Sequence, residues 1–132
     1  MKNIIKETDY NTIKGIIHNL TPFEQTREVG QLSHQIESAR RIPDATIPND
    51  VIQLNSYFEV ELSHPVQCIK MTMTTPKNAN LSEQKISVFS PLSIALIGFS
   101  QGQVVDWVLP GGPRKIKILK VQNPIYEQVI AG

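Results

Sequence analysis

The sequence predicts an α+β protein: a short N-terminal antiparallel helical hairpin followed by an antiparallel sheet that carries one short helix. Three observations predict it. Apolar residues recur at spacings of three and four up to about Arg40, and at a spacing of two in several later runs. Pro43 and Pro48 separate the two regimes. Within the second regime, the run from Ser90 to Gly98 places a helix start and a helix stop between two strand patterns.

In the helical part, residues 1–5 read as a lead-in. Thr8 or Asp9 can cap a first helix whose Ile13, Ile16, Ile17 and Leu20 make one apolar stripe. Thr21-Pro22-Phe23-Glu24 reads as a second start: a threonine cap, a proline at the first helical position and a glutamate at the third. That helix runs to about Arg40 with Val29, Leu32, Ile36 and Ala39 on one face. Two facing stripes joined by a few residues imply an αα-hairpin, a short coiled coil over residues 1–42. Helices of about 12–18 residues reach only about 18–27 Å.

Arg40-Arg41-Ile42-Pro43-Asp44 reads as the boundary, and residues 47–123 as the sheet domain. Tyr57–Leu62 alternates, with Phe58, Val60 and Leu62 on one face. Gln67–Thr74 does the same with Ile69, Met71 and Met73. The polar stretch 75–83 reads as a loop. Lys85–Phe89 is a strand with Ile86 and Val88 on one face. Ser90 stands at the cap position, Pro91 at the first helical position, and Leu92, Ala95 and Leu96 follow at helical spacing up to Gly98. Gly102 turns the chain into Gln103–Leu109, where Val105, Trp107 and Leu109 share a face. Pro110-Gly111 fit the centre of a type II turn. Lys115–Val121 is the last strand, and residues 124–132 form a tail with little to read.

Composition narrows the function. With 132 residues, 40% hydrophobic and 19% charged, the chain fits one domain with a helical appendage. A formal charge of +1 argues against a dedicated nucleic-acid binder, which shows a clear basic excess. The single cysteine, Cys68, forms no intrachain disulfide and fits a reducing cytoplasm. Its strand neighbours Ile69 and Met71 suggest a structural thiol. No run approaches a membrane span, and Met1-Lys2-Asn3 leads into no signal-peptide core.

Catalytic signals are weak. His18, His34 and His64 are scattered and none stands at ligand spacing from Cys68, so no metal site is expected. No serine sits in a nucleophile elbow and no glycine loop cradles phosphate, so no catalytic residue or cofactor is assigned. Arg114, Lys115, Lys117 and Lys120 read as a solvated strand face. Glu24 and Glu28 are explained first by the positive end of a helix dipole and by capping.

Three separated motifs carry a family resemblance: NDVIQLNS at 49–56, SPLSIALIG at 90–98 and VLPGG at 108–112. Roughly from Pro48 to Val121, the chain resembles the C-terminal domain of the GreA/GreB transcript-cleavage factors and of their short relative, the regulator of nucleoside diphosphate kinase. The resemblance implies an FKBP-like sheet domain and a non-enzymatic regulator in the cytoplasm. It would bind bacterial RNA polymerase near the secondary channel and compete with Gre factors. The implied contact with the coiled coil of the β′ subunit uses Phe89, Ser90, Pro91 and the adjoining Leu92. Ser90 and Pro91 match the family pattern, whereas Phe89 replaces an acidic residue and would act as an apolar anchor. The residues alone leave a plain helix cap open, with Phe89 packed beneath the helices. Two further functions stay open as alternatives. A peptidyl-prolyl isomerase would need an aromatic-lined pocket, and only 6% of the chain is aromatic. Transcript cleavage would need a much longer hairpin with metal-holding acids at its tip.

Overall fold

A computed structural model describes residues 3–124; residues 125–132, read above as a tail, lie outside the described residues. The chain opens with β1 (Ile4–Lys6), α1 (Glu7–His18), α2 (Arg27–Ser38) and β2 (Arg40–Ile42). β1 and β2 pair in parallel, Ile5 opposite Arg41. This corrects two expectations: the lead-in and the boundary segment are the two strands of a small sheet. Three residues carry no readable alternation, and their pairing depends on α1 and α2 returning the chain to its start.

The helix starts differ from the expected ones. Lys6 occupies the cap position of α1, and Thr8 and Asp9 fall inside its first turn. Their side chains reach outward instead: the Thr8 hydroxyl donates to Asp44, and Asp9 accepts from the Leu54 N–H at 3.0 Å. Thr21-Pro22-Phe23-Glu24 forms a separate 3-10 turn over Pro22–Glu24. α2 starts later, capped by Thr26, whose hydroxyl accepts from the Val29 N–H at 3.3 Å. It ends at Ser38, because Ala39 is extended and Arg40 enters β2. The start of α1 lies beside the end of α2, where the Tyr10 hydroxyl and Lys14 ammonium both reach Glu37.

The remainder is a five-stranded sheet in the order β5-β4-β3-β7-β6. β3 is Tyr57–Leu62, β4 Gln67–Thr74, β5 Lys85–Ser87, β6 Val104–Leu109 and β7 Gly112–Gln122, with α3 (Pro91–Leu96) between β5 and β6. The pairs β3/β4, β3/β7 and β6/β7 are antiparallel as expected. β5 departs by pairing with β4 in parallel, since the crossover through residues 75–84 returns it in the same direction as β4. The expected type II turn is also absent. Gly112, at φ +120°, is the glycine with positive φ beside the β6–β7 connection, whereas Gly111 is not left-handed.

Alternation decides the faces. Phe58, Val60, Ile116, Ile118 and Met73 are fully or almost fully buried, and they share one cluster with Ile94, Ala95 and Leu96 of α3. Ile13 of α1 and Leu32 and Ile36 of α2 belong to the same cluster, so helices and sheet bury a common core. On the opposite face Glu59 lies between Lys70 and Lys120, and Glu61 between Cys68 and Lys117. Opposite charges across strands make this a solvated surface, in line with the reading of Lys117 and Lys120, whereas Arg114 departs from it: half-buried on the parity of Ile116, it donates to the Ser63 and Pro65 carbonyls. Cys68 is exposed there, which corrects its reading as a packed thiol: strand neighbours point to the other face, so Ile69 and Met71 say nothing about its burial. Among the described residues no helix is long and apolar enough to cross a membrane.

Candidate partner-docking site

The junction from β5 to α3 is a tight turn built from serine and main-chain hydrogen bonds. The Val88 N–H donates to the Thr74 carbonyl at 2.8 Å, holding the chain against β4. The Phe89 N–H donates to the Ser87 hydroxyl at 3.0 Å, and the Ser90 N–H to the Ser87 carbonyl at 3.0 Å. Ser90 stands at the cap position, but its hydroxyl accepts no helix N–H. It donates to the Ser87 carbonyl at 2.8 Å and lies 3.0 Å from the Ser93 hydroxyl. Pro91 opens α3 where its missing N–H costs no helix bond.

Phe89, Ser90 and Pro91 are each half-buried and form a continuous, partly exposed ridge. Phe89 also packs against the edge of the core, so it shares features of both sequence readings. Leu92 differs: it is buried in the core and presents little surface.

The far end of α3 is braced from a distance. The Gln35 side-chain amide donates to the Ile94 carbonyl at 3.0 Å, and the Asn3 amide to the Ile97 carbonyl at 3.0 Å. The Gly98 carbonyl accepts from the Ile4 N–H at 3.0 Å. Gly98 has φ +87°, and a Cβ there would lie 2.6 Å from the Ile4 carbonyl oxygen, so only glycine fits. Asn3 and Gln35 went unnoticed in the sequence. Gln35 had a signal, since it interrupts the apolar stripe between Leu32 and Ile36. Asn3 had none.

Asp9 is the third buried polar side chain joining the helices to the sheet part. Burial pushes its carboxyl up to about 6, against the lowering effects of the Leu54 N–H and of Lys6. It lines a polar cleft of about 460 Å³ with Asp44, Thr8 and Thr75.

At the connection between α1 and α2, the Thr21 N–H donates to the Glu24 carboxylate at 2.8 Å, which holds that carboxyl below its usual range. Glu24 therefore closes the turn, as its capping reading predicted. Among the described residues no three of His, Cys, Asp and Glu come together as metal ligands would. A separate cleft of about 650 Å³ runs between Gln31 of α2 and the β6–β7 end, with Trp107 as its one aromatic wall.

Two helices laid on a five-stranded mixed sheet, with a short helix in the β5–β6 crossover, define an α+β fold that also occurs in a solved structure. The protein described as "Prokaryotic transcription elongation factor GreA/GreB from Nitrosomonas europaea" superposes with a TM-score of 0.71 at 24% identity, over 92% of this chain and 98% of that one. Residues 47–123 match the family model "Transcription elongation factor, GreA/GreB, C-term", and the chain belongs to this family. A GreA from Clostridium botulinum (strain Alaska E43 / Type E3) is 29% identical over 93 residues, 70% of this chain and 58% of that protein. The regulator of nucleoside diphosphate kinase from Escherichia coli (strain K12) is 27% identical over 102 residues, 76% of this chain and 73% of that protein. The chain thus spans little more than half the length of that GreA relative. Phe89, Ser90 and Pro91 fall inside the matched segment, whereas α1 and α2 precede it.

Proposed function

We propose that the chain is a non-enzymatic transcription regulator of the bacterial cytoplasm that binds RNA polymerase near the secondary-channel entrance. Its FKBP-like sheet domain docks onto the coiled coil of the β′ subunit through Phe89, Ser90 and Pro91, and competes there with Gre-type factors. The observation that carries this reading is the ridge itself, which is partly exposed, tied down by Ser87 and braced behind by Gln35 and Asn3, all next to the family domain's own helix. A preorganised ridge loses little entropy on docking. α1 and α2 act as a short hairpin at the channel mouth. With 12 residues each, they extend about 18 Å, too short a reach for a deeply buried catalytic centre. The isomerase alternative needs an aromatic-lined pocket, and Trp107 is the one Phe, Tyr or Trp residue in the wall of the 650 Å³ cleft.

The test is binding to purified core RNA polymerase by the intact chain and by Pro91→Arg. Wild type is expected to bind at micromolar concentration or tighter. The variant should bind at least about tenfold more weakly, as for a central interface residue, with an unchanged circular dichroism spectrum. Equal binding by both would move the contact elsewhere, and no binding by wild type would refute the reading. Release of short 3′ RNA fragments from stalled complexes would make the chain a cleavage factor instead.

A further inference from the structure

The 650 Å³ cleft at the β6–β7 end takes no part in the proposed docking, and its size is that of a small-molecule site. Its chemistry centres on one cross-strand pair. Trp107 of β6 stands opposite Arg114 of β7, on the sheet face that also carries Val105 and Ile116. Side chains paired in this way have Cβ atoms about 4.5–5.5 Å apart. Trp107 packs against the edge of the core and is half-buried, so its indole is held while part of its surface stays open to the cleft.

Arg114 is drawn away from that indole. Its Nε–H donates to the Ser63 carbonyl, and its Nη2 donates to the Pro65 carbonyl at 3.0 Å. His64 stands between those two residues at φ +45°, a left-handed value. The β3–β4 connection is thereby bent so that both carbonyls reach one guanidinium. These bonds fix the half-buried guanidinium without neutralising it, because among the described residues Arg114 pairs with no carboxylate. With one side of the fork taken, the Nη1–Nη2 edge keeps donors suited to a carboxylate or phosphate met end-on. Asp106, the carboxylate in the cleft wall, is already met by Lys115 at 3.0 Å. An open aromatic surface and an immobilised, uncompensated positive charge therefore share one cleft.

We infer that this cleft binds a small planar aromatic anion, its ring against the Trp107 indole and its carboxylate or phosphate on the free edge of Arg114. A neutral aromatic would desolvate the guanidinium without giving it an acceptor, and an aliphatic anion would leave the indole unmatched. Gln31 of α2 closes the far side with an amide that can both donate and accept. The cleft shares no residue with the Phe89–Pro91 ridge, so this inference does not rest on the polymerase reading.

The chain has a single tryptophan, so the Trp107 indole N–H gives one resonance in an isotope-labelled sample and reports on the cleft directly. The intact chain is titrated with naphthoate and with adenosine monophosphate, each beside its neutral counterpart, naphthamide and adenosine. At least one anion should move the resonance saturably, and bind about 10- to 100-fold more tightly than its neutral counterpart, the range for hydrogen bonds to a charged group. Binding of naphthoate alone would support an aromatic carboxylate as the ligand, and binding of adenosine monophosphate alone a nucleotide. Binding of both would support a site that reads only ring and charge. Arg114→Gln should lose the same factor. Because that change also releases the β3–β4 connection, the charged and neutral probes are compared on the unaltered chain as well. No saturable shift with either anion, or equal affinity for an anion and its neutral counterpart, would overturn the inference. So would Arg114→Gln binding as tightly as the unaltered chain.

Discussion

Thr21-Pro22 and Ser90-Pro91 are the same local signal, a hydroxyl residue followed by proline at a helix start, and the molecule treats them differently. The first has the better local chemistry, with Glu24 returning its carboxylate to the Thr21 N–H, yet it supports one exposed 3-10 turn. The second makes no side-chain cap bond, yet it opens a helix in which Leu92, Ser93, Ile94, Ala95 and Leu96 are all buried. A cap contributes about 1 kcal/mol. Burying one isoleucine contributes about 1.5–3 kcal/mol, and α3 buries several apolar residues. Burial therefore outweighs capping in deciding which start becomes a structural helix.

The largest effect should come from the buried member of the pair. Ile94→Ala is expected to destabilise the chain by about 2–5 kcal/mol, the range for emptying a closed core site. Denaturant unfolding checks it, and a loss no larger than that of a cap would mean that local signals hold α3 after all.

An intermediate effect concerns what ties the exposed member to the sheet. Asp9 titrates near 6 in the folded chain and near 4 in ordinary surroundings. Its folded value is raised, so the folded state holds the proton more firmly. The stability this confers is full below about pH 4 and is lost as pH rises through about 6, a span on the order of 2–3 kcal/mol. Asp9→Asn keeps an acceptor for the Leu54 N–H and should remove that slope. Glu24, Glu37 and Asp44 are shifted downward and act in the opposite sense, so the quantity to follow is the difference between wild type and variant from pH 4 to 7. Parallel curves would show that Asp9 is not the buried titrating latch.

The smallest effect belongs to the exposed turn. Glu24→Ala should leave the unfolding midpoint of the whole chain almost unchanged, because the turn it closes is solvent-exposed and none of its residues is buried. Exchange of the Thr21 amide should nevertheless speed up. A large drop in midpoint would mean that the turn helps to hold α1 against α2.

Much of the sheet was legible. β3 and β4 were read with their observed bounds, and β6 to within one residue, because six or more residues of alternation separate buried from solvated faces. The cap position of Ser90 and the stop at Gly98 were legible through their motif. Leu92 was misplaced as a surface residue, since motif adjacency carries no information about which way a helix face turns.

Period and turn chemistry thus sufficed for the long antiparallel strands and for α3, since each is specified within a window of ten residues or so. Folding alone assigned the β1/β2 pairing, the parallel course of β5 and the bracing of α3. Each of those depends on a partner far along the chain, as with Asn3 and Ile97, 94 residues apart. A buried polar side chain is stable only if folding brings it a hydrogen-bond partner, and that partner is chosen by packing, which no local pattern encodes.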